Sequence, residues 1–182
     1  PPPEPVCAPA KTLTCDTGTG TVSLDDPAAT DALNTNACNG ADYSGPELTY
    51  AFTADQEMKV TFHLDAERPD LDVLVISDLQ GCHPDNCQAI GSPWVTTTLQ
   101  AGETVFAVVD GQAGATGAFD LSVTCCTPSC GDAVCGSDGC GGSCGSCGDG
   151  TICTEGMCSA KPSATCEPAT PIGCGETIEG KA

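Results

Sequence analysis

The placement of cysteine constrains this chain more than any other feature. Six of its sixteen cysteines are spread over the first 125 residues, and the other ten crowd into residues 126–182. All four Phe, both Tyr and the single Trp lie in the first part, so residues 126–182 contain no aromatic side chain. A segment as short and aromatic-free as 127–160 cannot close a hydrophobic core and folds only if cross-linked. Zinc is one cross-link that cysteines supply, usually together with histidine, but His63 and His83 are the only histidines. Disulfides are therefore expected, and with them an oxidising, extracellular or cell-surface location.

Charge narrows the partners. Asp and Glu number 25 against 5 Lys and Arg, for a formal net charge of −20. Such a surface repels nucleic acid, whose phosphates require basic side chains, and anionic membrane surfaces. No apolar run approaches the ~18 residues of a membrane span, so no membrane insertion is expected. No charged-then-apolar segment opens the chain, so a signal peptide is expected to have been removed or to lie upstream.

The first 125 residues read as short strands of period two. Leu48, Tyr50 and Phe52 alternate with small or polar residues, as do Met58, Val60, Phe62 and Leu64. Residues 71–76 are almost continuously apolar, which predicts a strand buried on both faces or lying centrally. Residues 96–99 and 104–109, joined through Gly102, carry a hairpin signal. Phe119, Leu121 and Val123 form a last alternating strand, and residues 21–24 an early one. No helix is evident beyond one turn within 25–34. The expected fold is all-β: an antiparallel, jelly-roll-like β-sandwich over residues 1–125. A disulfide-rich Cys/Gly module over 126–160 comes next, with little regular structure, and then a linker and tail over 161–182.

Six stretches resemble the pre-peptidase carboxy-terminal (PPC-type) sandwich of secreted bacterial proteins, in the Cys-bearing form common in myxobacteria. They are GPELTYAF (45–52), MKVTFHL (58–64), DVLVI (72–76), LQAG (99–102), VVDG (108–111) and GAFDLSV (117–123). One departure is Val105-Phe106-Ala107, where the family usually carries Tyr before the valines. CGSDGCGGSCGSC (135–147) resembles a module often found beside such sandwiches. The resemblance implies a jelly-roll-like sandwich with a non-catalytic accessory role and names no ligand.

The tail repeats the start. CAPAKTLTC (7–15) and CEPATPIGC (166–174) share Cys-x-Pro-Ala and a second Cys eight positions after the first, both at an offset of 159 residues. Thr177-Ile178 then corresponds to Thr21-Val22. The tail thus reads as a second copy of a sandwich's first strand, which implies a tandem array, or a strand given to another copy in a head-to-tail homo-oligomer. Cys166, Cys174, Ile172 and Ile178 are the residues expected to make that assembly.

Six sandwich cysteines allow fifteen pairings. Strand logic favours Cys82 with Cys87 across a turn, Cys15 with Cys38, and Cys7 with Cys125. The last would close a loop contributing about 4–5 kcal/mol on the chain-entropy model. The eight from Cys126 to Cys158 suffice to close among themselves, and Cys166 and Cys174 pair together or with the next unit.

Chemistry is sparse. No nucleophile elbow, zinc-protease helix motif or phosphate loop occurs, so no catalytic residue is named and the chain is read as a non-enzyme. His63 and His83 read as surface residues, and Cys144-x-x-Cys147 as structural rather than redox-active. Asp25, Asp26 and Asp31 in one loop, and Asp70 and Asp72 in another, are of the type that binds Ca²⁺, as some PPC-type domains do; solvated loop acids are the plainer reading. No other cofactor is expected. Trp94 reads as a sandwich-core residue, with a glycan platform as its alternative. The function expected is a non-catalytic structural or adhesive module, a repeat unit or subunit of a cell-surface fibre, with a surface glycan or protein as ligand. The alternative is an accessory targeting domain of a secreted peptidase or glycoside hydrolase.

Overall fold

The computed structural model describes residues 7–35, 37–78 and 83–162. The chain divides into two compact units. One holds the described residues through Gly131 together with Ser137–Gly142, and the other holds Asp132–Gly136 and the described residues from Ser143 onward.

The first unit is the expected all-β sandwich. Its strands are β1 (Lys11–Leu13), β2 (Val22–Ser23), β3 (Leu48–Thr53), β4 (Met58–Ala66), β5 (Leu71–Ser77), β6 (Cys87–Gly91), β7 (Trp94–Leu99), β8 (Thr104–Gly111) and β9 (Ala118–Cys126). One sheet has the order β1-β3-β8-β5-β6 and the other β2-β9-β4-β7. Every pairing is antiparallel except that of β1 with β3. The hairpin expected across Gly102 does not form: β7 lies in the four-stranded sheet, and β8 lies between β3 and β5 in the other. The Gln100–Glu103 turn, with Gly102 at φ 80°, is an arch that carries the chain between sheets. Alternation locates strands but does not say which sheet the next one joins.

The inward faces make the main core. Phe52, Phe62, Phe119 and Leu121 are at most 2% exposed, with Val73, Val75, Val105 and Val109 fully buried around them. Two edge-on ring pairs cross between the sheets, Tyr50 with Phe119 at 6.5 Å and Phe52 with Phe62 at 6.1 Å. Such pairs add about 0.5–1.5 kcal/mol each beyond area burial. Gly111 ends β8 where a Cβ would run into the Ala115 carbonyl, so only glycine fits there.

β5 is buried along its whole length, as its apolar run predicts. Its outward residues Leu74 and Ile76 join Val108, Leu33, Tyr43 and Cys7 in a second cluster. The segment before β3 folds over the five-stranded sheet to supply Leu33 and Tyr43. Glu47 anchors that cover, accepting the Thr30 hydroxyl and the Ala32 and Leu33 amides. Tyr43 donates its hydroxyl to Asp72 at 2.7 Å, and burial with that bond pushes its pKa up to about 12.

The disulfides correct the expected pairings. Cys15 bonds to Cys125, not Cys38, and Cys38 bonds to Cys87. The backbone explains both. Asp16 donates its amide to Val123, which sets Cys15 beside the end of β9. The covering segment passes the edge of the same five-stranded sheet, where Ala37 donates to Pro84 just before β6, and so brings Cys38 to Cys87 on β6. Cys7 is also disulfide-bonded, but sits in the outer cluster of the five-stranded sheet, away from Cys125. Cys82 lies outside the described residues.

Cys126 bonds to Cys140, within the first unit. The second unit is a hairpin of β10 (Thr151–Thr154) and β11 (Met157–Ala160), turned at Glu155-Gly156, both with positive φ. Cys153 and Cys158 stand opposite each other and are tied to Cys135 and Cys147 respectively. Cys130 and Cys144 are disulfide-bonded as well.

Candidate ligand-binding face

The outward residues of the four-stranded sheet follow from period two. On β4 they are Lys59, Thr61, His63 and Asp65; on β7, Trp94, Thr96 and Thr98; on β9, Asp120, Ser122 and Thr124. Register sorts them into rows. Thr96, Thr61 and Thr124 form one, Trp94, His63 and Ser122 the next, and Asp65 with Asp120 the last. The Thr61 and Thr96 hydroxyls are 2.9 Å apart.

Trp94 is 62% exposed, which corrects its expected place in the core. Val95, Phe62 and Leu64 fill the interior at that end instead, and alternation within β7 sends Trp94 outward with Thr96 and Thr98. The indole stacks on the His63 ring at 5.5 Å between centroids and 25° between planes. This contact sets the imidazole against one side of the indole, on the sheet's edge strand β7. A groove beside it is lined by Asp65, Ala66, Arg68, Pro69, Ser92 and Pro93, with a cis peptide before Pro93. A second depression, lined by Thr21, Asp65, Glu67, Ala118 and Asp120, shares Asp65 and Ala66 with it.

The cations near this face are engaged. Lys59 donates to the Cys140 carbonyl at 3.0 Å. Arg68 makes a two-pronged contact with Asp70, at 2.9 and 2.6 Å, which holds the Asp70 carboxyl below the usual carboxylate range. Asp65 and Asp120, directly opposed across the strands, have no ion-pair partner among the described residues.

The acids considered for calcium are not gathered. Asp70 is spent on Arg68. Asp72 is buried and accepts from Tyr43 and Gln112, each at 2.7 Å. Asp25 and Asp26 organise their own loop, Asp25 with the Ser23 hydroxyl and Asp26 with the Ala28 amide. Among the described residues, the three potential ligand atoms found clustered are the sulfurs of Cys135, Cys147 and Cys158, all held in disulfides. The arrangement therefore does not fit a calcium site built on those four acids. His83 accepts from the Asp85 amide in a short turn. Cys147 of the Cys-x-x-Cys pair is bonded to Cys158, so the two do not form a dithiol couple. Cys166, Cys174, Ile172 and Ile178 lie outside the described residues.

One buried acid is not visible in the sequence pattern. Asp110 is fully buried; one oxygen accepts the Gly111 amide at 2.7 Å and the other has no hydrogen-bond partner among the described residues. Burial, with Glu47, Asp31 and Asp72 nearby, pushes its pKa up to about 8. Nothing in VVDG distinguishes it from a turn acid.

No protein-family model and no curated protein matches this chain. Among solved structures it is similar to the pre-peptidase C-terminal domain of a Bacillus anthracis collagenase. Identity there is 13%, the match spans 65% of this chain and 98% of that one, and the TM-score is 0.43. It is also similar to PliG of Aeromonas hydrophila, a periplasmic inhibitor of g-type lysozyme, at 10% identity over 63% of this chain and 94% of that one, with a TM-score of 0.42. The Salmonella Typhimurium PliG gives 14% identity, 63% and 96% coverage, and a TM-score of 0.33.

Proposed function

We propose that this chain is a non-catalytic, extracellular adhesive module that holds a surface glycan on the outer face of its four-stranded sheet. The observation that carries the reading is Trp94, exposed and stacked flat on His63 amid rows of hydroxyls. A flat indole offers apolar contact to a pyranose ring, and neighbouring Thr, Ser and Asp side chains offer bonds to its hydroxyls. The disulfides support an oxidising location. The repeat at an offset of 159 residues supports a head-to-tail array or fibre, in which many weak faces act together. An accessory domain of a secreted hydrolase would use the same face and differs in what adjoins it.

Retention on insoluble polysaccharides tests the face. The wild-type chain is expected to sediment with at least one of cellulose, chitin or cross-linked chitosan, and Trp94→Ala to stay in solution. Equal retention of both overturns the reading. For the array, truncation after Ala160 is expected to abolish filaments seen by electron microscopy; unchanged assembly refutes it.

A further inference from the structure

We propose that the open edge of β7 pairs antiparallel with β7 of a second copy of this chain, joining two four-stranded sheets into one. The contact is isologous, so it closes on itself and is separate from the head-to-tail contact proposed above. Three observations carry it.

The first is which edges are guarded. A sheet edge invites pairing with another chain unless it is short, charged, bulged or covered. β1 has three residues, one of them Lys11, and β2 has two. β6 has a register irregularity against β5 and is tied through Cys87 to Cys38. β7 runs for six residues, Trp94–Leu99, with no charge, glycine or proline and in unbroken register with β4.

The second is the direction of the peptide groups. Leu64 donates its amide to the Pro93 carbonyl, so by antiparallel alternation Val95, Thr97 and Leu99 also turn their peptide groups toward β4. Those of Trp94, Thr96 and Thr98 point out of the sheet. Gly91 lies against the Trp94 carbonyl, where a Cβ would come within 2.6 Å. The peptide groups of Thr96 and Thr98 make no backbone hydrogen bond to another strand among the described residues. Their donors and acceptors are their own complement. A two-fold axis at Thr97 sets Thr96 opposite Thr98 of the second copy, and the reverse, so every one of these groups is paired.

The third is charge, which selects the occupant. A second copy brings another −20 and is repelled by most of this surface. Residues 86–102 hold no Asp, Glu, Lys or Arg, the longest such stretch in the chain, and β7 lies within it. The β4 residues opposite Trp94, Thr96 and Thr98 are His63, Thr61 and Lys59, so no carboxylate adjoins the edge on that face. An uncharged edge suits a partner as acidic as the chain itself; a basic segment is drawn to acidic surface instead.

The test is amide exchange of the whole chain without glycan, over about a hundredfold range of concentration reaching the millimolar region of small interfaces. Protection of the Thr96 and Thr98 amides is expected to rise about tenfold with concentration, while Val95 and Thr97, bonded within the sheet, change little. Two double variants at these exposed positions read the register. Thr96→Glu/Thr98→Glu sets like charges opposite each other and is expected to abolish the rise. Thr96→Lys/Thr98→Glu sets opposite charges face to face and is expected to keep it. Protection independent of concentration overturns the proposal, because the edge is then open or filled by its own chain. Identical behaviour of the two variants overturns it as well. Truncation after Ala160 is expected to leave the rise in place; its loss means that another copy's tail fills the edge, which also overturns the proposal. With sugar absent throughout, the glycan reading stands or falls separately.

Discussion

The two sheets of this sandwich treat their outer faces in opposite ways. The five-stranded sheet is roofed by its own chain: Leu33 and Tyr43 close over Leu74, Ile76 and Val108, and Glu47 pins the roof from below. The four-stranded sheet has its outer face lined by Thr, Ser and Asp side chains, with Trp94 lying exposed on His63. Both sheets bury an inner face of similar make-up. The sequence of the outer positions decides the difference. Apolar outward residues on β5 and β8 require a cover, and polar ones on β4, β7 and β9 do not. A lone large aromatic among the polar ones stabilises the fold little, which directs attention to binding.

Experiments that break or sharpen this contrast can be ranked. The largest effect is expected from Cys15→Ala/Cys125→Ala, which severs a link spanning 110 residues between the two sheets. A loss of about 4–5 kcal/mol is expected by the loop-entropy model, read as a shift in denaturation midpoint. It damages both faces together and so removes the contrast. Next is Leu33→Ala in the roof, with Leu33 only 1% exposed. A loss of about 2–4 kcal/mol is expected in the same measurement, with glycan retention unchanged.

Asp110 adds a pH dependence confined to the roofed side. Its folded pKa is raised, to about 8 from 3.8, so between those values the folded chain holds a proton that the unfolded chain releases. Stability therefore falls as pH rises through that window and is fully kept below it. Asp110→Asn is expected to flatten the decline and to gain roughly 1–2 kcal/mol near pH 9, net of an orphaned amide group. An unchanged slope in a pH series of melts counts against the assignment. The smallest stability effect is that of Trp94→Ala, within about 0.5 kcal/mol for an exposed side chain. Its full effect is expected in binding. A loss as large as that of Leu33→Ala means Trp94 is a structural residue and the contrast between the faces is wrong.

How much of this is legible in the sequence varies with the kind of constraint. Alternation locates β3, β4, β5, β8 and β9, because each has a continuous inward set such as Met58, Val60, Phe62 and Leu64. It misses β1 and β6, which are short edge strands with mixed burial. It also mistakes an arch for a hairpin at Gly102, since both need a tight turn. The cysteine partners depend on where the roof segment and β1 pass in space, which spacing along the chain does not encode. Trp94 differs, because its signal is present in the sequence: counting back by two from Thr98 and Thr96 puts it on the polar face. The burial of Asp110 follows from a roof whose path is set by Glu47 and Tyr43, and short-range patterns are silent about it.

Cys125 and Cys126 stand side by side at the end of β9 yet bond in different directions, one to Cys15 and the other to Cys140. The first bond makes the sandwich a bypass for mechanical load. Load entering at Cys15 and leaving at Cys125 passes through a single sulfur–sulfur bridge, and the strands β2 to β9 between them are spared it. The chain within that bridge, a separation of 110 residues and roughly 370 Å when fully drawn out, stays folded however hard the ends are strained, until the bridge is reduced. The outer face of the four-stranded sheet is thus kept intact under tension. Its compliance resides in the segments outside the bridge.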